Sequence, residues 1–141
     1  MNRFDLLNIG SSKLKKKNIS SYNLDSELLL SKVLNKSREE VLVSPDKIVD
    51  PKNISKFNNL IKRRLMNEPI AYIFKEKEFW SKKFKVDRNT LIPRPETELM
   101  VEKLVGIFKG KNISILDIGT GCGCILISLL LELKHSRGVG I

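Results

Sequence analysis

Ile113-Ser114-Ile115-Leu116-Asp117-Ile118-Gly119-Thr120-Gly121-Cys122-Gly123 decides how this chain is read. Ile113–Leu116 favour a strand and lead into Asp117. Gly119, Gly121 and Gly123 then alternate with Thr120 and Cys122, and the mainly apolar run Cys124–Leu133 follows at once. This is the layout of a buried parallel strand, a tight glycine turn and a helix that starts beneath it. Glycines at the turn let backbone approach a ligand, because no Cβ stands in the way. The spacing is G-x-G-x-G, not the G-x-G-x-x-G of a dinucleotide site, since position 124 is Cys; no Gly-Lys-Ser/Thr of a phosphate loop follows. Asp117 at the mouth would repel a pyrophosphate and could face a cationic group. The pattern suits an adenosine-type ligand without phosphates. A strand–turn–helix with no ligand is the plain alternative.

Composition sets the limits. The chain has 141 residues, 41% of them apolar, enough for a core. Gly138-Val139-Gly140-Ile141 reads as a second strand just beginning. A doubly wound sheet needs several strands to cover both faces, so the sequence is expected to be a piece of a larger protein. In such half-folds an acid at the end of the second strand holds the ribose hydroxyls. Net charge is +10, and residues 1–90 carry most of it, with 20 Lys and Arg against 11 Asp and Glu. Such a surface could attract nucleic acid or an acidic partner. Lysine dominates, however, and arginine is the better bidentate phosphate ligand, so nucleic acid is not the expected partner. Cys122 and Cys124 are separated by one residue, which fits neither a redox nor a zinc pattern. No metal site is expected. No apolar stretch is long enough to span a membrane, and the start is not a signal peptide. A cytoplasmic protein is expected.

Residues 1–67 read as a small helical bundle. A loose helix covers residues 2–17, with Gly10 weakening its middle and Lys15–Lys17 at its basic end. Leu24–Leu34 shows a broad apolar face at positions 24, 28, 29, 30, 33 and 34. Ser37 and Glu40 have capping-box spacing. Pro51–Met66 places Ile54, Phe57, Leu60, Ile61 and Leu65 on one stripe before Asn67-Glu68-Pro69 breaks it. The bundle shows no buried-acid, His or Cys constellation and suits docking better than chemistry. Residues 68–90 form a linker with a hairpin, Phe79-Trp80 and Phe84-Lys85-Val86 flanking Ser81–Lys83. Leu91-Ile92-Pro93-Arg94-Pro95-Glu96-Thr97-Glu98 is an extended, proline-stiffened approach. It leads into a helix to about Phe108 and would make a rigid wall over the glycine turn. His135 lies in a polar turn and reads as solvated.

Taken together, Glu68–Ile73, Glu78-Phe79, Phe84–Val86, Leu91–Glu98 and Ile115–Gly123 resemble one family. It is the protein-(glutamine-N5) methyltransferase of peptide chain release factors, the HemK/PrmC type, and the glycine turn resembles the first motif of class I S-adenosylmethionine-dependent methyltransferases. The likeness is weak over residues 1–67 and strong over 68–133. It implies an α/β fold: a small N-terminal helical bundle (1–67), a hairpin linker (68–90) and the beginning of a Rossmann-like class I methyltransferase domain (91–141). It implies S-adenosyl-L-methionine as cofactor, with Asp117, Gly119, Thr120, Gly121 and Gly123 lining its site and Arg94 and Thr97 shaping its edge. The partner would be a release factor, methylated on the amide nitrogen of the glutamine in its Gly-Gly-Gln loop. The family's Asn-Pro-Pro-Tyr clamp does not occur in these residues. No catalytic residue is therefore nominated, and the chain alone is expected to be inactive. Three departures stand out: Lys75 and Ser81-Lys82 where the family often has Gly and Gly-Leu, and Cys122 where serine is common. Two other readings remain open: an adenine-N6 methyltransferase acting on RNA or DNA, and a non-enzymatic protein-docking module.

Overall fold

Asn2 starts the first helix. Its side-chain oxygen accepts the Asp5 amide at 2.8 Å and satisfies one of the helix's free donors. The computed structural model describes residues 1–141, which divide into two units, Met1–Ile73 and Phe74–Ile141.

The first unit is helical: α1 (Arg3–Lys16), α2 (Tyr22–Leu34), α3 (Arg38–Val43) and α4 (Pro51–Leu65). Asp50 caps α4 and Pro51 occupies its first turn, where a missing N–H costs nothing. The Ser37–Glu40 capping box forms as its spacing predicts. Leu6, Leu14, Leu29, Leu30, Val41, Phe57 and Ile61 fill the core.

Three features of this unit differ from the sequence reading. Gly10 is not a weak point in α1. It is buried, and a Cβ there would stand 2.5 Å from Ser26 Oγ and 2.7 Å from Phe57 Cζ, so glycine permits the close approach of α2 and α4. The buried face of α2 is partly polar: Asp25, Ser26 and Ser31 go inside while Leu24 stays 44% exposed. There is also a buried acid after all. Asp25 accepts hydrogen bonds from Ser21 Oγ at 2.8 Å and from Arg64 Nε at 2.7 Å. Arg64 lies 39 residues away, beyond the reach of any local pattern. Next to it, Arg63 makes a two-pronged pair with Glu68, both bonds 2.7 Å. That carboxylate raises the Arg63 pKa by stabilising its charged form.

A short helix, α5 (Ile70–Phe74), follows Pro69; no sequence pattern marks it. The second unit opens with a hairpin, β1 (Glu76–Phe79) and β2 (Lys82–Lys85), antiparallel with Phe79 opposite Lys82. Its two-residue turn is Trp80-Ser81, both at positive φ (51° and 54°), the conformation that matches strand twist. The turn is thus shorter than the Ser81–Lys83 expected, and β1 begins earlier. Non-glycine residues resist this conformation, and two bonds hold Trp80 in it. Its N–H donates to Glu98 Oε1 at 2.8 Å and its indole Nε1 to Glu132 Oε1 at 2.9 Å.

A single 3₁₀ turn, Pro95–Thr97, leads into α6 (Glu98–Phe108). Then come β3 (Ser114–Asp117), α7 (Cys124–Glu132) and β4 (Arg137–Gly140), with β3 and β4 parallel and Leu116 beside Val139. This is the strand–turn–helix–strand unit that the glycine pattern predicts, and the chain is α/β. Phe79, Phe84, Val101, Cys124 and Leu129 share one core, the two phenylalanines edge to face with centroids 6.2 Å apart. The sheet is packed on one face only. A Cβ on Gly138 would collide with Leu126 of α7, so that face lies tight against the helix. On the other face, Leu116 (61%), Ile118 (75%), Val139 (61%) and Ile141 (66%) are exposed. The strand expected to be buried is therefore half open, because among residues 1–141 nothing covers this face.

Candidate functional site

The glycine turn lies at the carboxyl end of β3, where open parallel sheets place ligands. Gly119, Gly121 and Gly123 have φ of 76°, 56° and 76°, a conformation open to glycine and strained for other residues. The turn is fastened from beneath. Ile141 N–H donates to the Asp117 carbonyl at 2.9 Å, and the Ile141 carbonyl accepts from Gly119 N–H at 2.7 Å and from Thr120 N–H at 3.0 Å. Gly123 N–H closes onto the Thr120 carbonyl at 2.8 Å. Thr120 Oγ1 donates to Asp117 Oδ2 at 2.9 Å, which orients the acid. A Cβ on Gly140 would stand 2.7 Å from Thr120 Oγ1, so the second strand carries glycine where this threonine packs.

The upper side of the turn is open. A Cβ built on Gly119 meets nothing within 4 Å, and one on Gly121 meets only the Gly119 carbonyl at 4.0 Å. The N–H groups of Gly121 and Cys122 make no backbone hydrogen bond. Free donors, open space and one oriented carboxylate make a seat for a ligand with polar atoms and a positive group. The chemistry of S-adenosylmethionine fits this set.

Asp117, Gly119, Thr120, Gly121 and Gly123 are thus brought together. Arg94 and Thr97 lie at the two ends of the 3₁₀ turn, Arg94 exposed and Thr97 half-buried, and no hydrogen bond joins either side chain to the glycine turn. Pro93 between them and the hairpin is buried. His135 is exposed, as its polar neighbours predict. Cys122 is half-buried and Cys124 buried. Burial, with Cys122 beside it, pushes the Cys124 thiol up to about 12, so it serves as packing and not as a nucleophile.

Sequence reasoning did not foresee a cavity of about 560 Å³ next to the turn. Lys75, Lys85, Val86, Asp87 and Thr90 line it together with Gly121 and Cys122. No spacing rule links residues 75, 85 and 121; only the folded hairpin does.

Comparison with known proteins shows the family of the chain. Residues 5–74 match the family model described as the PrmC N-terminal domain. A release factor glutamine methyltransferase of Buchnera aphidicola subsp. Baizongia pistaciae is 44% identical over 96% of this chain. The chain belongs to the PrmC family. Another PrmC-type relative, the release factor glutamine methyltransferase of Aliivibrio fischeri, is 43% identical over 86% of the chain and 43% of its own length. A protein named bifunctional methyltransferase from Rickettsia typhi is 36% identical over 93% of the chain and 29% of its own length. The chain spans about half the length of the PrmC-type relatives it matches, 49% for the Baizongia protein. No helix is long and apolar enough to cross a membrane.

Proposed function

We propose that this chain is the substrate-docking and cofactor-turn portion of a cytoplasmic protein-glutamine N5-methyltransferase that acts on peptide chain release factors. The observation that carries the reading is the open glycine turn with its oriented Asp117, in a chain similar to release factor glutamine methyltransferases. Residues 1–67 would dock the factor, the hairpin within 68–90 would link, and 91–141 would begin the transferase domain.

S-adenosylmethionine would supply an electrophilic methyl group on a sulfonium sulfur. The chain's own residues would do the rest. The Gly119 and Gly121 positions would leave room for the ligand, and the free amides of Gly121 and Cys122 would donate to its polar atoms. Asp117, held by Thr120, favours a positive group by simple attraction. Arg94 and Thr97 would shape the edge of the same site. An amide nitrogen is a poor nucleophile, since its lone pair is delocalised, so rate would come from alignment with the methyl group and from polar stabilisation of charge on the amide. No side chain here is placed to act as a strong base. The amide clamp expected of the family is not in this sequence, so the chain alone should transfer no methyl group.

Calorimetric titration of S-adenosylmethionine tests the cofactor site. Gly121→Val places a branched side chain at φ 56° in the open seat. It should weaken binding at least ~10-fold, about 1.4 kcal/mol, without loss of helix signal. No binding by the unaltered chain, or equal binding by the variant, would remove the reading.

A further inference from the structure

The cavity beside the turn carries two cations with no ion-pair partner. Lys83 of the same hairpin is paired with Glu76 at 3.5 Å; Lys75 and Lys85 have no such acid. Both line the cavity. Asp87 lines it too, but its Oδ1 accepts the Asn89 amide at 2.9 Å and the Thr90 hydroxyl at 3.1 Å. That carboxylate is held by its own loop. The cavity wall is therefore net positive, with two ammonium groups free to bind.

Lys75 also has an uncommon backbone conformation. It sits at φ 59°, where a glycine would be less strained. The bond from Val86 N–H to the Lys75 carbonyl, 3.3 Å, closes the base of the hairpin there. Lys75 thus stands at positive φ, without an ion-pair partner, at the edge of the cavity. Val86, 3% exposed, supplies an apolar floor, and Gly121 and Cys122 connect the cavity to the proposed transfer site. A volume of about 560 Å³ lies within the usual range of ligand pockets, and the exposed Lys75, Lys85 and Asp87 leave it open to solvent.

We propose that this cavity is a subsite for a carboxylate-bearing stretch of the polypeptide substrate, held by Lys75 and Lys85 while its neighbouring residue reaches the turn. The role as a substrate subsite rests on the methyltransferase reading; the affinity for acids does not. Lysine ammonium groups attract any compact anion as point charges; a carboxylate is the anion that a polypeptide, the substrate class of the preceding proposal, carries.

The test is a titration of the isotopically labelled chain, followed by amide NMR shifts, with acetyl-tetraglutamate amide and with acetyl-tetraglutamine amide as neutral control. Tetraglutamate should move the amides of 75, 85–90, 121 and 122, and tetraglutamine should not. Lys75→Glu with Lys85→Glu should weaken it at least ~5-fold and lessen the loss of affinity with added salt. Lys75→Gly with Lys85→Gln serves if the reversal disturbs the hairpin, and should weaken it in the same direction. Equal binding of both peptides, shifts confined to Lys13–Lys17, unchanged affinity in both variants, or tighter binding of oligothymidylate than of tetraglutamate at the cavity would each overturn the proposal. S-adenosylmethionine is titrated in parallel. Cofactor binding without tetraglutamate binding removes the subsite alone. Tetraglutamate binding without cofactor binding keeps the acid site and removes the methyltransferase reading.

Discussion

Gly10 shows how a single residue can reverse a general rule. In an exposed helix, alanine in place of glycine stabilises by about 1 kcal/mol. Here the added methyl would collide with Ser26 Oγ and the Phe57 ring. Gly10→Ala should therefore destabilise the helical unit by about 1–3 kcal/mol, read as a lower urea midpoint. Ser128 is the opposite case. It is fully buried in α7 and its hydroxyl has no hydrogen-bond partner. An unsatisfied buried hydroxyl costs about 1–3 kcal/mol, so Ser128→Ala should leave stability unchanged or raise it, shown by thermal melting. The two cysteines should separate chemically. Cys124, with its thiol pushed up to about 12, holds almost no thiolate at pH 8. Iodoacetamide should label Cys122 first and leave Cys124 unlabelled until the chain unfolds, as peptide mass mapping would show.

At the scale of elements, α2 and α4 are joined by a polar contact as well as by their apolar faces. Asp25 and Arg64 are 6% and 17% exposed in their side chains. Asp25→Ala would leave the Arg64 guanidinium without its carboxylate and should cost about 3–5 kcal/mol. Replacing both by apolar residues of similar size should recover most of that loss in a double-mutant cycle. These elements also show what a sequence reveals. The Ser37 capping box, the α4 stripe of Phe57 and Ile61 and the glycine turn were legible, because each is a pattern of neighbours a few residues apart. The role of Gly10, the inward Asp25 and the lysine-lined cavity were not legible. Each depends on a partner brought in from far along the chain: Phe57, Arg64 and Gly121. Trp80 shows the same limit. Its ring packs against the Phe79–Phe84 core, and its place in the turn is also set by the distant Glu98 and Glu132. The Asp117–Thr120 bond, by contrast, is local, and the sequence had already grouped those residues.

At the scale of the whole 141-residue chain, one face of the β3–β4 sheet is open. Leu116, Ile118, Val139 and Ile141 form one apolar patch on the two parallel strands, and such patches promote association. The 141-residue chain should bind an apolar dye and self-associate with rising concentration. Ile118→Thr with Val139→Thr should reduce both, measured by fluorescence and by sedimentation. The α/β class, the helical beginning and the hairpin were legible because periodicity and turn residues report them. Which sheet face would be covered was not, because alternation along a strand does not say what lies above it. The central claim, that this turn seats a methyl donor for a release factor, is tested most directly by a chimera. The 141 residues replace the matching segment of the Aliivibrio fischeri relative, and the product is incubated with S-adenosylmethionine and release factor. The account predicts one methyl group on the glutamine of the Gly-Gly-Gln loop by peptide mass spectrometry, lost in Asp117→Ala and Gly121→Val. A folded chimera that leaves the glutamine unmodified, or variants that methylate it as well as the parent chimera, would contradict it.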